Sequence, residues 1–373
     1  TYLVYPGATH SRLQHALGAM HLLDMAIETL RSKGQIIMEH EAEAACAAIL
    51  LHDIGHGPFS HALEYSIANG VSHETISRCL MEDINREFNG RLTLAIDIFD
   101  DKYPKRFLHQ LISGQLDMDR MDYLKRDSFF SGVTEGAIGS DRIIKMLNVV
   151  DDELVVEAKG IYSIEKFLIA RRLMYWQVYL HKTVVAAEQT LIKMLKRAKE
   201  LAKQDLEIDA SPALKYFLLN DISNAEFKGS LENNQNIALQ NFALLDDSDI
   251  MVSAKLWINS KDPVLSTLAK MITNRKLLSV TLKNTPFDTK QIDSLRVSFI
   301  KLYPELKEFA DYFVFSDSLS ISAYQPGDES IKILYNNGQL TDIAEASDML
   351  NAKALSNEVK KYFICYPKEL RNI

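Results

Sequence analysis

The chain has 373 residues, of which 47% are hydrophobic and 25% are charged. These proportions predict a soluble globular protein with a large core and room for two domains. The net charge of −8 and the pI near 5.7 argue against a protein whose whole surface binds nucleic acid, but they allow a local basic pocket for a phosphate compound. The sequence has no signal-peptide pattern and no apolar run of membrane-spanning length, and its cysteines lack CxxC spacing. We therefore predict a cytoplasmic protein without membrane association.

The predicted elements of the first half are mostly helices. From about Ser11 to Arg31 apolar residues recur at helical spacing, with Thr9 or Ser11 as the N-cap and Gly34 as a stop signal. Further helices are predicted at roughly 39–55, 58–69, 73–89, 103–113 and 118–130. A short hairpin is predicted where the apolar runs 147–150 and 154–156 flank two aspartates.

The second half begins with the longest helical signal, from about Ser163 to Lys203, which predicts one long helix or two continuous ones. Short β-like runs follow at 312–315, 319–323, 331–335 and 339–341, with the turn signal Asn336-Asn337-Gly338. We predict a mainly α fold, with a helical domain over residues 1–204 and a smaller α+β region over 205–373. The second region carries no chemical motif, so we expect it to have a structural, assembly or regulatory role.

The residues that carry chemistry concentrate in the run 50–61, LLHDIGHGPFSH. A buried histidine or aspartate needs a hydrogen-bond partner or a metal ion, and His52 and Asp53 stand side by side in an apolar stretch. His56 is four residues after His52 and would share a helical face with it, and His61 follows a Gly-Pro break. A set of hydrogen-bonded core histidines is the alternative to a metal site. The density of the cluster favours the metal site.

Two further residues of ligand type lie on other predicted helices. His15 stands among apolar neighbours, and Asp119 lies at a carboxylate-rich helix start. With His52 and Asp53 they would supply two nitrogens and two oxygens and leave positions open for water or phosphate oxygens, as catalytic metal sites do. These ligands suit a divalent ion of Mg, Mn, Fe, Ni or Zn, and ligand type alone does not choose among them.

The order H…HD…D, with Arg12 three residues before the first histidine, resembles the HD-domain phosphohydrolases. The strings that carry the resemblance are YPGATHSR at 5–12, HDIGHGPFSH at 52–61 and DMDRMDYLKRD at 117–127, within a match over roughly residues 1–200. The branch that this sequence resembles most is that of the deoxynucleoside triphosphate (dNTP) triphosphohydrolases, including the bacterial dNTPases and the SAM-and-HD-domain dNTPase of animals. The resemblance implies hydrolysis of a dNTP, with dGTP among the candidates, to a deoxynucleoside and inorganic triphosphate.

The resemblance also implies roles for individual residues. The metal ligands would be His15, His52, Asp53 and Asp119. Phosphate oxygens would be contacted by Arg12, His56 and His61, and Arg12 and His56 would also be catalytic, as donors where charge develops. The catalytic histidine near the leaving 5′ oxygen would be His73, oriented by Glu64. The remaining substrate-binding residues would be Arg120, Tyr123, Asp127, Arg171, Tyr179 and Lys182, with an aromatic ring packed under C2′ to exclude a 2′-hydroxyl.

Other interpretations stay open. His73 and Glu64 are also compatible with a helix start bearing surface charges, and Tyr179 and Lys182 with a core residue and a solvated charge. The sequence departs from the family in Leu13-Gln14, which replace Phe-Glu but remove no ligand. Glu64 stands where the animal enzyme has an aspartate. The family's Gln-Leu-Gly segment would precede Tyr2, so we expect a natural N-terminal piece to be missing.

The relatives imply a homo-oligomer, a dimer or tetramer, with a regulatory nucleotide between subunits. Two other functions remain as alternatives to dNTP hydrolysis. The first is an HD phosphohydrolase or phosphodiesterase that acts on another nucleotide. The second is a catalytically silent protein that senses nucleotides or binds nucleic acid, although nucleic acid is not the partner that the acidic composition favours.

Overall fold

The computed structural model describes residues 1–60, 70–228, 236–321, 324, 330–348 and 359–371. Helices dominate it, which confirms the predicted mainly α fold with small sheets. The helices are α1 (Arg12–Ser32), α2 (Glu39–Leu51), α3 (His73–Glu87), α4 (Thr93–Phe99), α5 (Arg106–Ile112), α6 (Met118–Ser131), α7 (Ser140–Met146), α8 (Ile161–Met174), α9 (Lys182–Ala202), α10 (Pro212–Leu219), α11 (Asn224–Lys228), α12 (Ile237–Ala243), α13 (Asp247–Trp257), α14 (Pro263–Thr273), α15 (Thr289–Leu302) and α16 (Ile343–Ala346).

The strands form two small sheets. They are β1 (Leu147–Val150), β2 (Glu153–Glu157), β3 (Ser279–Lys283), β4 (Phe315–Ile321), β5 (Lys332–Leu334), β6 (Leu340–Asp342) and β7 (Val359–Tyr366). In the first sheet, of order β1-β2-β5-β6, the hairpin pairs Leu147 with Val156, and β5 runs parallel to β2. In the second, of order β3-β7-β4, Val280 pairs with Cys365 in antiparallel strands. The predicted hairpin is confirmed, and so is the later turn that joins β5 to β6.

The chain divides into two compact units, each assembled from separate stretches of sequence. The first unit comprises residues 1–54, 80–180 and 321–359, and the second comprises 55–79, 181–320 and 360–373. Both units take residues from each side of the predicted boundary between 204 and 205. The assignment of separate roles to 1–204 and 205–373 stays a prediction.

Helix α1 organises the core of the first unit. Its N-cap is Ser11, whose hydroxyl accepts a hydrogen bond from the backbone N–H of Gln14, and the Gln14 side chain completes a capping box. Past its end, Gly34 takes a positive φ of 92°, as the stop signal predicts. The buried side chains of α1, including Leu23 and Ile27, belong to an apolar cluster that also takes in residues of α2 and α6. In the second unit α9 packs against α10, α14 and β3.

Several predicted boundaries are wrong for identifiable reasons. Residues 58–60 form a turn rather than the start of a helix, because Phe59 and Ser60 have a φ of 53°; the rest of the predicted 58–69 helix lies outside the described residues. The run 312–315 is not a strand. A 3-10 segment that begins at Pro304 extends to Tyr312, and β4 begins three residues later. Helix α4 was not predicted.

The long helical signal is two helices, but they are not continuous as the second predicted option states, because Leu180 and the non-helical His181 separate them. Five residues of π-helix, Tyr175–Tyr179, follow α8, and α9 begins at Lys182. A π-helical turn shifts side chains relative to an α-helix and is frequent at functional sites. Among the described residues, no helix combines the length and the apolar character needed to span a bilayer.

Candidate metal centre and tyrosine cluster

The first turn of α1 presents Arg12 and His15. The side chain of His15 is buried, with 8% of the residue exposed. Its Nε2 lies 2.9 Å from Oδ1 of Asp119 and 4.0 Å from Oδ2 of Asp53. The Arg12 guanidinium approaches the same aspartate, with Nη1 2.6 Å from Asp53 Oδ2, and its side chain is 44% exposed. A solvent-accessible cation therefore stands beside this carboxylate.

His52 and Asp53 follow the C-terminal end of α2. Nδ1 of His52 lies 2.6 Å from the carbonyl oxygen of Ile49, and because a carbonyl can only accept, Nδ1 carries the hydrogen. In the neutral ring Nε2 then holds the lone pair, and it lies 3.5 Å from carboxylate oxygens of both Asp53 and Asp119. The prediction that His52 and His56 share a helical face is wrong, because the helix ends at Leu51.

Helix α6 brings Asp119 to the two histidines. Asp117 is the N-cap and accepts a hydrogen bond from the backbone N–H of Arg120 at 2.7 Å, which sets Asp119 in the first turn. Burial acts to raise the pKa of Asp119, but hydrogen bonds from His15 and His52 outweigh it and the pKa is lowered. Asp119 is therefore a carboxylate, the form that a metal ion requires.

The ligand atoms of His15, His52 and Asp53 all lie within 4.8 Å of one another, and Asp119 reaches the Nε2 atoms of both histidines. Two donor atoms that each lie about 2.0–2.2 Å from a metal can be no more than roughly 4.4 Å apart. The measured separations between the histidine Nε2 atoms and the carboxylate oxygens are 2.9, 3.5, 3.5 and 4.0 Å. The chemistry also fits, because two imidazole nitrogens and two carboxylates suit several divalent ions. The residues present are thus compatible with a single divalent metal site.

Sequence reasoning missed Asp122, which holds the other side of His15. Its Oδ2 lies 2.7 Å from His15 Nδ1. The Nε and Nη2 atoms of Arg126 donate hydrogen bonds to Oδ2 and Oδ1 of Asp122 at 2.8 and 2.9 Å. Burial lowers the pKa of His15, but bonds to Asp119 and Asp122 dominate and raise it to about 10. Because Asp122 takes the Nδ1 hydrogen, Nε2 faces Asp53 and Asp119. The three-residue spacing from Asp119, which puts both carboxylates on one helical face, is the signal that could have identified it.

Gly18 makes room for this arrangement. A Cβ atom at Gly18 would lie 2.0 Å from Oδ1 of Asp122 and 2.2 Å from Nη2 of Arg126, closer than van der Waals contact allows. Only a glycine lets α1 approach the ion pair on α6 at this distance. The absence of a side chain one turn after His15 is therefore part of the way the histidine is held.

A cluster of tyrosines accounts for most of the other predicted substrate residues of the first unit. The hydroxyl of Tyr179, the last residue of the π-helix, donates to Asp127. The Tyr179 ring meets the edges of Tyr123 and Tyr175, with centroids 6.2 and 5.2 Å away. Burial is the main cause that raises the pKa of Tyr123, and the nearby cations Arg120 and Arg171 oppose that shift. Tyr123 and Tyr179, whose pKa values are both raised, are therefore neutral hydrogen-bond donors at physiological pH.

The second unit carries His56 and His73, whose rings stack at a centroid distance of 3.9 Å and an interplanar angle of 15°. His73 is the first residue of α3. The backbone N–H of Gly55 donates to Ser77 Oγ on the same helix at 2.9 Å, and a Cβ at Gly55 would lie 2.2 Å from the carbonyl oxygen of His73. The glycine thus permits the loop that bears His56 to lie against the start of α3.

The predicted residues fall into three sets. The first unit brings together the four metal-ligand candidates with Arg12, and it also holds Arg120, Tyr123, Asp127, Arg171 and Tyr179. The second unit brings together His56 and His73, and Lys182 lies exposed at the start of α9. His61 and Glu64 lie outside the described residues.

Two protein families match the chain. The family described as HD domain matches residues 12–127, and the one described as HD associated region matches residues 138–217. The first range contains all four metal-ligand candidates, and the second contains the π-helix with Tyr179.

Some proteins of related sequence match almost the whole chain, and others match about half of it. The crystal structure of a phosphohydrolase from Bacteroides thetaiotaomicron is similar, with 57% identity and a TM-score of 0.91 over 98% of this chain and 89% of that one. YwfO, an uncharacterized protein of Bacillus subtilis, is 29% identical over 99% of this chain and 84% of its own length. The SAMHD1 homolog of Dictyostelium discoideum, a deoxynucleoside triphosphate triphosphohydrolase, is 27% identical over 54% of this chain and 43% of its own length.

Proposed function

Because the chain belongs to the HD-domain phosphohydrolase superfamily, in its dNTPase-like branch, we propose that it is a metal-dependent dNTP triphosphohydrolase. Its products would be a deoxynucleoside and inorganic triphosphate. The observation that carries the proposal is the convergence of His15, His52, Asp53 and Asp119. The histidine Nε2 atoms lie 2.9–4.0 Å from the carboxylate oxygens.

These four residues would hold the ion, and the chain supplies their orientation. A divalent ion in such a site polarises a phosphoryl oxygen and lowers the pKa of water. His52 is fixed through its bond to the Ile49 carbonyl, and His15 through Asp122, so that both Nε2 atoms face the aspartates. The exposed guanidinium of Arg12 would leave Asp53 for a phosphate oxygen, which it can bind with two N–H donors.

The hydrolysis itself requires a proton at the leaving oxygen. Water adds to the α-phosphorus and releases a proton to solvent, the bond from that phosphorus to the 5′ oxygen breaks, and the 5′ oxygen takes up a proton from a side-chain donor, because an alkoxide is a poor leaving group. We assign the donor role to His73 and its orientation to Glu64. For His56 and His61 we propose contacts to phosphate oxygens.

The cluster of tyrosines would contact the nucleoside and its phosphates. The ring of Tyr179, held by Asp127 and flanked by Tyr123, would lie under C2′ and exclude a ribose. Arg120, Arg171 and Lys182 would add positive charge for the triphosphate. The neutral, half-buried hydroxyls of Tyr123 and Tyr179 suit contacts to sugar oxygens.

The decisive experiment is product identification with the purified chain. Each of Mg, Mn, Fe, Ni and Zn is added separately to dNTPs and NTPs, and phosphate, pyrophosphate, triphosphate and nucleoside are quantified independently. Deoxynucleoside and triphosphate in equal amounts are the expected products, and the Asp53→Asn variant should form neither. Release of phosphate or pyrophosphate alone would overturn the proposal.

Another nucleotide substrate is the second candidate. Relatives that span most of the chain are an uncharacterized protein and a phosphohydrolase of unstated substrate, whereas the named triphosphohydrolase aligns with about half of the chain. A screen of nucleoside monophosphates and cyclic nucleotides under the same conditions separates the two. We also propose a homo-oligomer with a regulatory nucleotide, for which light scattering and rates with a second nucleotide are the tests.

A further inference from the structure

The carboxylate of Asp127 is held from two sides. Nε2 of His10 lies 2.8 Å from Oδ1, and the hydroxyl of Tyr179 is bonded to Oδ2. A carboxylate only accepts hydrogen bonds, so the Nε2–H of His10 and the hydroxyl of Tyr179 both donate to it. The orientation of the Tyr179 hydroxyl therefore depends on a carboxylate that His10 fixes at its other oxygen.

His10 belongs to a segment that is fastened at several points to the elements around this carboxylate. Its ring stacks on Phe130 of α6 with a centroid distance of 4.9 Å. A Cβ atom at Gly7 would lie 2.6 Å from the carbonyl oxygen of Phe130, so the backbone passes directly against that residue. The hydroxyl of Tyr5 donates to the carbonyl of Gln177, within the π-helix, at 2.7 Å. The segment before α1 thus connects the end of α6 with the π-helix.

A histidine at this position has a cost that an apolar ring would avoid. Its Nδ1 is buried and has no hydrogen-bond partner among the residues that the structure describes. A buried polar atom without a partner is destabilising. A phenylalanine would keep the stack on Phe130 and avoid that cost. The property that histidine adds is the Nε2 donor to Asp127.

We propose that His10 is a positioning residue that sets sugar selectivity. Through Asp127 it holds the ring of Tyr179 in the orientation that rejects a 2′-hydroxyl. The proposal rests on the proposed function, because that function places the ring of Tyr179 against the sugar. To exclude one hydroxyl, the ring of Tyr179 must stay in a fixed position. The Nε2 donor of His10 supplies that rigidity, because it holds the opposite oxygen of Asp127.

Two variants separate the donor from the ring. His10→Phe keeps an aromatic ring on Phe130 and removes the donor, whereas His10→Gln keeps an amide N–H near the position of Nε2 and removes the ring. The ratio of kcat/KM for a dNTP to that for the NTP of the same base is measured, together with metal content and Tm. For His10→Phe we expect this ratio to fall about tenfold, the factor for one hydrogen bond to a charged group.

We expect His10→Gln to restore most of the ratio, while metal content and the kcat for the dNTP stay near those of the unmodified protein. An unchanged ratio in His10→Phe would overturn the proposal. Equal losses in both variants together with a lower Tm would also overturn it, since they indicate a merely structural role.

Binding measurements keep this test separate from that of the proposed function. Calorimetric Kd values for the same dNTP and NTP are compared in the unmodified protein and in His10→Phe. If the unmodified protein binds the dNTP more tightly but does not cleave it, the proposed function fails, and a smaller Kd ratio in His10→Phe still supports the role of His10. Equal affinity of the unmodified protein for both nucleotides would overturn the selectivity proposal.

Discussion

His52 and His56 come from one run of sequence, yet the structure holds them by different means. His52 and the neighbouring ligand candidates are fixed by a network of buried side chains and one backbone carbonyl. His56 stacks on His73, and the backbone N–H groups of Gly55 and Phe59 on the same loop donate to Ser77 and Asp247. Phe59 and Ser60 take a left-handed φ of 53°, which costs about 1–2 kcal/mol per residue, and Gly55 touches the start of α3.

This difference teaches where each region is vulnerable. The metal-ligand candidates should respond to the charge and hydrogen-bonding capacity of side chains. The loop should respond to the backbone freedom of its residues and to the loss of the side chains that accept its N–H groups. Variants of each kind test whether the two regions of the HD run are supported separately.

The largest effect is expected from Asp119→Asn. The amide keeps the shape of the side chain but removes the charge that faces both His15 and His52. We expect metal affinity to fall at least about 100-fold, beyond the usual effect of a residue that only orients a ligand, and hydrolysis to be lost. Elemental analysis and calorimetric metal titration measure it. Asp24→Asn, an exposed charge change on α1, is the control, and metal binding that survives in Asp119→Asn would exclude Asp119 as a ligand.

Asp122 tests the orientation of His15 without removing a ligand. In Asp122→Ala, His15 Nδ1 loses its partner at 2.7 Å and Arg126 loses both of its bonds. We expect metal affinity to drop about 10–100-fold. Asp122→Asn keeps an acceptor oxygen for Nδ1 and should lose less. If the two variants bound metal as tightly as the unmodified protein, Asp122 would have no orienting role.

The loop is tested by Gly55→Ala. The added methyl would lie 2.2 Å from the His73 carbonyl oxygen and 2.3 Å from the Ser77 backbone nitrogen, and neither backbone atom can move without shifting α3. We expect about 1–3 kcal/mol of destabilisation, the usual cost of overpacking. Denaturant unfolding measures it. Gly139→Ala is the matched control, because a Cβ there meets no atom within 4 Å. Equal stability of the two variants would contradict the close approach.

The sequence predicts the parts of this site that depend on local signals. Ser11 caps α1, the hairpin lies at the predicted residues, and the motif residues His15, His52, Asp53 and Asp119 were identified from residue type and resemblance. The π-helix could not be predicted, because no Gly or Pro interrupts the long helical signal. The spacing of Asp122 from Asp119 marks it as a candidate on the same helical face, but its orienting role depends on the distance between α1 and α6, which no spacing within one helix gives.

The smallest effect is expected from Asp247, which connects the second half of the sequence to the HD run. Its Oδ1 accepts a hydrogen bond from the backbone N–H of Phe59 at 2.9 Å, within the second unit. An exposed bond of this kind is worth about 0.5–1.5 kcal/mol, so Asp247→Ala should lower activity about two- to tenfold by loosening the residues after His56. Because the amide oxygen of Asp247→Asn can accept the same bond, that variant should keep most of the activity.

The measurement is kcat and KM at constant metal content. If the two regions are supported separately, metal affinity should stay unchanged in both variants, and a parallel loss of metal would contradict that separation.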